Sequence, residues 1–346
     1  MNEKIFSWTA IYREIAENIK DKTSDELQKL LSECTNCQTS YLKNKNTSEE
    51  FINLDLFTFF GTFNRDVKFE NRIIVLKHLK KNLELTESIP NDFNGIPTMN
   101  NQNSWFYWAD DDKNDRSDDL STLNQLFKAA IIGKADIEEV FNKCLKIDSV
   151  GMSKLTTGLF WINPECFMPI AGPSVAYLKR KFPKFAYEDS NGTKDWNQVF
   201  KNFTWEKYEY VLEYLKDKNN NELSFQQLSL ESIDSSVQNE IIENKNVIFH
   251  GAPGTGKTYS VLNAIESLTN GDTDRYTLVQ FHPSYGYEDF IDGIKPVKNI
   301  NNAVTLELEN GTFKNICKKA FDNLESEEET KSYFFIADEI NRAELS

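Results

Sequence analysis

Thirteen residues, Asn246 to Thr258 (Asn-Val-Ile-Phe-His-Gly-Ala-Pro-Gly-Thr-Gly-Lys-Thr), constrain this chain more than any other stretch. Gly251 to Thr258 fits G-x-x-x-x-G-K-[ST], with Ala252, Pro253 and Thr255 at free positions. Val247, Ile248 and Phe249 read as a short buried strand before the loop, and Tyr259 to Leu268 as a helix after it. Strand, glycine loop and helix is the context in which this pattern is a phosphate site. Gly251, Gly254 and Gly256 open backbone angles closed to other residues and let phosphate oxygens approach the main chain. Their N–H groups form an inward anion nest, and the helix start adds roughly half a positive charge. Lys257 would reach the terminal phosphates, and the Thr258 hydroxyl would ligate Mg²⁺. A plain glycine-rich turn is the alternative, but the four fixed positions arise by chance in only about one in a hundred chains of this length. The expectation is binding of a nucleoside triphosphate, ATP or GTP, together with Mg²⁺.

A second acidic element completes such a site. Tyr333 to Ala337 is an apolar run ending in Asp338 and Glu339. In phosphate-loop enzymes an acid at this place holds Mg²⁺ with the hydroxyl of the glycine loop. Asp338 is assigned to the metal and Glu339 to the general base. Two acids after an apolar run usually just end a strand; following a matching glycine loop, they point to hydrolysis. Short apolar runs at Val247 to Phe249, Tyr276 to Phe281 and Tyr333 to Ala337, separated by helical segments, predict an α/β domain with a parallel sheet. A hairpin is expected between Val304–Leu308 and Thr312–Phe313, turning at Asn310–Gly311. A helix from Asn315 to Leu324 should follow.

Residues 1–218 read differently. Ile11, Ile15 and Ile19 recur every four residues, a helical face. Thr23 and Glu26 form a capping box before Leu27, Leu30 and Leu31. A helix over Phe69 to Leu83 should turn Ile73, Leu76, Leu79 and Leu83 inward. Strand-like alternation is scarce, so this part is expected to be an all-α domain. The polar stretch 219–240 reads as a linker or an exposed joining helix, and 241–346 as the nucleotide-binding domain. Hydrophobic residues at 39% and 25 Phe exclude a mainly disordered chain. A net charge of −15 argues against an unselective basic coat for nucleic acid. No signal peptide or membrane span is expected. Five cysteines, an odd count, suggest reduced thiols and a cytoplasmic setting.

The segment Gln280-Phe-His-Pro-Ser-Tyr-Gly-Tyr-Glu-Asp-Phe-Ile-Asp-Gly-Ile-Lys-Pro296 resembles a signature of the McrB family, AAA+ motor subunits of modification-dependent restriction systems. Asp338-Glu-Ile-Asn-Arg-Ala-Glu-Leu-Ser346 is similar to that family's extended Walker B segment. The resemblance covers roughly Ile242 to Ser346. It implies an AAA+ α/β fold, a self-associating ring (a hexamer), an McrC-like nuclease subunit as partner, and an N-terminal domain that reads DNA, possibly modified. The best-known members prefer GTP; no residue here decides between GTP and ATP. The family's pattern runs on beyond Ser346 through a sensor strand, an arginine finger and a helical lid. The expected fold is therefore an all-α domain followed by a partial phosphate-loop AAA+ domain. An arginine finger is worth about 10³–10⁵ in rate, so weak turnover is expected of this chain alone. The rival readings are an AAA+ remodelling ATPase unrelated to DNA and a non-enzymatic DNA- or nucleotide-binding regulator. Phe57 to Asp66, Asn91 to Pro97 and Leu155 to Ile170 resemble domains that precede such motors in some relatives.

Four weaker signals remain. Cys34 and Cys37 have metal-like spacing, but zinc needs four ligands. Tyr177 to Tyr187 interleaves cations with aromatics, which suits phosphates and bases, or one solvated helix face over a core. Trp105 to Trp108 could line a pocket for a flipped base, or lie in the core. His282 could contact nucleotide or a neighbouring subunit, or cap the following segment.

Overall fold

A computed structural model describes residues 6–34, 53–65, 69–99, 104–107, 117–190, 192–218, 223–250, 257–298, 304–325 and 330–342. The chain divides into two compact units, Met1–Glu240 with Asn244–Lys257, and Ile241–Glu243 with Thr258–Ser346.

The first unit is helical: α1 (Trp8–Ile19), α2 (Ser24–Ser32), α3 (Leu56–Gly61), α4 (Phe69–Asn82), α5 (Ser117–Ile132), α6 (Glu138–Cys144), α7 (Met152–Ile162) and α8 (Gly172–Lys181). A hairpin of β1 (Tyr187–Asp189) and β2 (Gly192–Lys194) follows, then α9 (Trp196–Val199), α10 (Trp205–Lys218) and α11 (Phe225–Glu243). On α1, Ile11, Ile15 and Ile19 are fully buried with Trp8 and Tyr12, the face their spacing implies. The capping box of α2 forms: Glu26 N–H donates to Thr23 Oγ1 at 3.3 Å, and Thr23 N–H to Glu26 Oε2 at 2.7 Å. Helices α3 and α7 lie in the core, all of α3 and Leu155 to Ile162 of α7 being buried. Gly158 of α7 is there because a Cβ would stand 2.8 Å from the rings of Phe57 and Phe106.

Two expectations need correction here. The unit is not purely α: β1 and β2 pair antiparallel, Tyr187 opposite Lys194. Three-residue strands are too short to show a period, and this pair is held by aromatics, with Phe185 stacked on Trp196 at 3.7 Å and Tyr187 edge-on to Tyr210 at 5.0 Å. Helix α4 buries Leu76 and Leu79 and packs Leu83 against the core, as read, but its buried face is wider than that reading. It buries Arg72, Val75, Leu76 and Leu79, while Ile73 is only half-buried. The stretch 219–240 carries the start of α11, whose Phe225 and Leu228 join the helical core and whose Ser229 hydroxyl donates to Gly95 O at 2.7 Å.

In the second unit come α12 (Lys257–Leu268), β3 (Tyr276–Gln280), α13 (Tyr287–Phe290), β4 (Asp292–Lys298), β5 (Val304–Asn310), α14 (Thr312–Glu325) and β6 (Phe334–Asp338). β3 and β6 pair in parallel, with Tyr276 opposite Phe334 and Gln280 opposite Asp338. Phe290, Phe313 and Phe335 pack ring to ring at 4.9 to 5.5 Å beside them. The sheet lacks one expected member: residues 247–250 take no regular structure, and Ile248 is 86% exposed. An apolar run becomes a strand only where an edge pairs its N–H and C=O groups, and neither β3 nor β6 pairs with it.

The expected hairpin also changes partner. β5 pairs with the upstream β4, Asp292 opposite Asn310, and Thr312–Phe313 begin a helix. Asn310–Gly311 is thus a strand-to-helix junction. Gly311 N–H donates to Ile291 O at 2.6 Å, and a Cβ there would lie 2.6 Å from the carbonyl oxygens of Asp289 and Phe290, so only glycine admits this approach. Among the described residues, no helix is long and apolar enough to cross a membrane.

Candidate functional site

Ligands of open parallel sheets bind beyond the carboxyl ends of the strands. Asp338 is the last residue of β6, and its carbonyl extends the ladder by accepting Phe281 N–H at 2.9 Å. Thr258 lies in the first turn of α12, where unpaired backbone N–H groups favour anions. The two elements bring these side chains together. Thr258 Oγ1 stands 3.4 Å from both carboxylate oxygens of Asp338. Adjacent oxygens around an octahedral Mg²⁺ at 2.0–2.1 Å are about 3 Å apart, so a hydroxyl and a carboxylate at this spacing suit one hard cation. Asp338 Oδ1 also accepts the N–H of Glu339 at 3.0 Å, which orients the carboxylate.

Glu339 turns the chain sharply away from the strand, with φ at +53°. A left-handed backbone at a non-glycine residue is uncommon and gathers at functional sites. Its carboxylate is gripped by Arg342, whose Nε donates to Oε2 at 3.1 Å, while Arg342 N–H donates to the Glu339 carbonyl at 2.8 Å. No role for Arg342 was read from sequence, although a cation three positions after an acid is a recognisable pairing signal. Lys257 opens α12 and is half-buried. Gly251, Ala252, Pro253, Gly254, Thr255 and Gly256 lie outside the described residues.

The weaker candidates separate clearly. His282 is exposed, and its Nδ1 accepts Ser284 N–H at 3.3 Å. It lies on a cleft of about 420 Å³ with Tyr285, Asp289, Lys295 and Asn310, away from the Thr258–Asp338 pair in lining. In the Tyr177–Tyr187 stretch three of the four cations are engaged within the helical unit. Lys179 donates to Asn197 at 2.6 Å, Arg180 to Ser235 at 3.2 Å, and Lys181 pairs with Glu231 at 2.8 Å. Trp105, Phe106 and Tyr107 are core residues, 6%, 0% and 5% exposed, so they line no open pocket; Trp108 lies outside the described residues. Cys34 is disulfide-bonded, which corrects the expectation of uniformly reduced thiols, while Cys144, Cys166 and Cys317 are free.

Against known proteins, residues 8–235, about two thirds of the chain, match the model of a domain of unknown function, DUF8425. The chain belongs to the DUF8425 family. In this DUF8425 protein, residues 246–346 match the AAA domain of the dynein-related subfamily. It is 40% identical over 118 residues to the type IV methyl-directed restriction enzyme EcoKMcrB subunit of Escherichia coli (strain K12). That stretch is 34% of this chain and 23% of the relative, so the likeness spans about a quarter of the relative's length. The C-terminal part of the DUF8425 protein is a McrB-like AAA+ NTPase domain.

Proposed function

We propose that this protein is the nucleotide-binding motor subunit of a McrBC-like DNA restriction system, taking ATP or GTP with Mg²⁺ at Gly251–Thr258. The observation that carries the reading is the Thr258–Asp338 pair at 3.4 Å, at the carboxyl end of a parallel strand and the start of a helix. The 40% identity over 118 residues to a McrB subunit supports it.

In this reading Thr258 and Asp338 would hold Mg²⁺, which would supply charge neutralisation for the transferring phosphoryl group. Lys257 binds the terminal phosphates. The Glu339 carboxylate accepts a proton from the water that attacks the γ-phosphorus, and the nucleoside diphosphate leaves. Arg342 keeps that carboxylate in one orientation. The helical unit reads DNA, possibly modified; the motor assembles into a ring and works with an McrC-like nuclease subunit.

Nucleotide binding with Mg²⁺ tests the assignment. Lys257→Ala should abolish binding, whereas Glu339→Gln should retain it and lose about 10²–10⁴ in turnover, the usual worth of a general base. Equal binding by the two variants would overturn the assignment.

A further inference from the structure

We draw no further inference here: the strongest candidate, the apolar face of the β4–β5 hairpin, on which Ile294, Leu306 and Leu308 are 66%, 72% and 67% exposed, carries nothing because nothing among the described residues shows what covers it.

Discussion

At Glu339 the backbone adopts φ +53°, which costs a non-glycine residue about 1–2 kcal/mol. The Arg342 contact at 3.1 Å holds the side chain in that posture. The pair is largely exposed, and exposed ion pairs contribute at most about 1 kcal/mol to stability. Removing Arg342 should therefore show in turnover and not in folding. Arg342→Ala is expected to lower kcat about tenfold with KM nearly unchanged and to move Tm by less than about 2 °C. A fully active Arg342→Ala would mean that Glu339 needs no such support. Motif spacing makes Thr258 and Asp338 legible as partners before any coordinates, since each lies at a fixed place after a glycine loop or an apolar run. The contact of the buried Arg72 with the ring of Phe93 at 4.5 Å is not legible in that way, because Phe93 reaches it from another segment.

Among the elements, α1 shows how a single carboxylate ties a helix to a distant turn. Glu14 accepts the N–H and hydroxyl of Thr86 and the N–H of Glu87, all at 2.8 to 2.9 Å. Partial burial raises its pKa, but these hydrogen bonds outweigh that and hold the carboxyl below its ordinary value. A folded-state pKa below the unfolded one gives stability that is present above the unfolded value and lost as pH falls through the folded one. Glu14→Gln should thus lower stability at pH 7 and converge with wild type near pH 3, measured by urea melts at each pH. Equal stabilities at pH 7 would contradict this.

The packing of α7 gives a second test. Gly158→Val places a branched side chain against the Phe57 and Phe106 rings, only 2.8 Å from where a Cβ begins, and should cost roughly 1–3 kcal/mol or more by denaturant melts. Local signals make the helices and their caps readable, as Thr23 and Glu26 do for α2. Pairing is another matter. Val304 to Leu308 is recognisable as a strand, but its partner is set by the close approach at Gly311, a contact between segments twenty residues apart in sequence. Val247 to Phe249 has the composition of a strand but pairs with none of the described strands.

At the scale of the whole molecule, the chain carries two compact units with separate cores, a DUF8425 helical unit and a McrB-like AAA+ unit. A ligand that binds only one folded unit stabilises that unit by mass action, about 2.7 kcal/mol at a hundred times its Kd. Calorimetry should resolve two transitions, of which Mg²⁺–nucleotide shifts one. Coincident shifts of both by nucleotide would contradict separately folding units. The phosphate site of the second unit is readable from motifs because phosphate chemistry demands particular residues in order, and its family from the resemblance carried by Gln280–Pro296 and Asp338–Ser346. The first unit offers no such motif.

The central claim is that Thr258 and Asp338 share the metal that accompanies the nucleotide. Titration calorimetry of ATP and GTP in Mg²⁺ and in EDTA, on wild type and Asp338→Asn, tests it most directly. The account predicts that EDTA weakens wild-type binding at least about tenfold and that Asp338→Asn in Mg²⁺ binds like wild type in EDTA. An Asp338→Asn protein that keeps the full Mg²⁺ dependence of the wild type would contradict it.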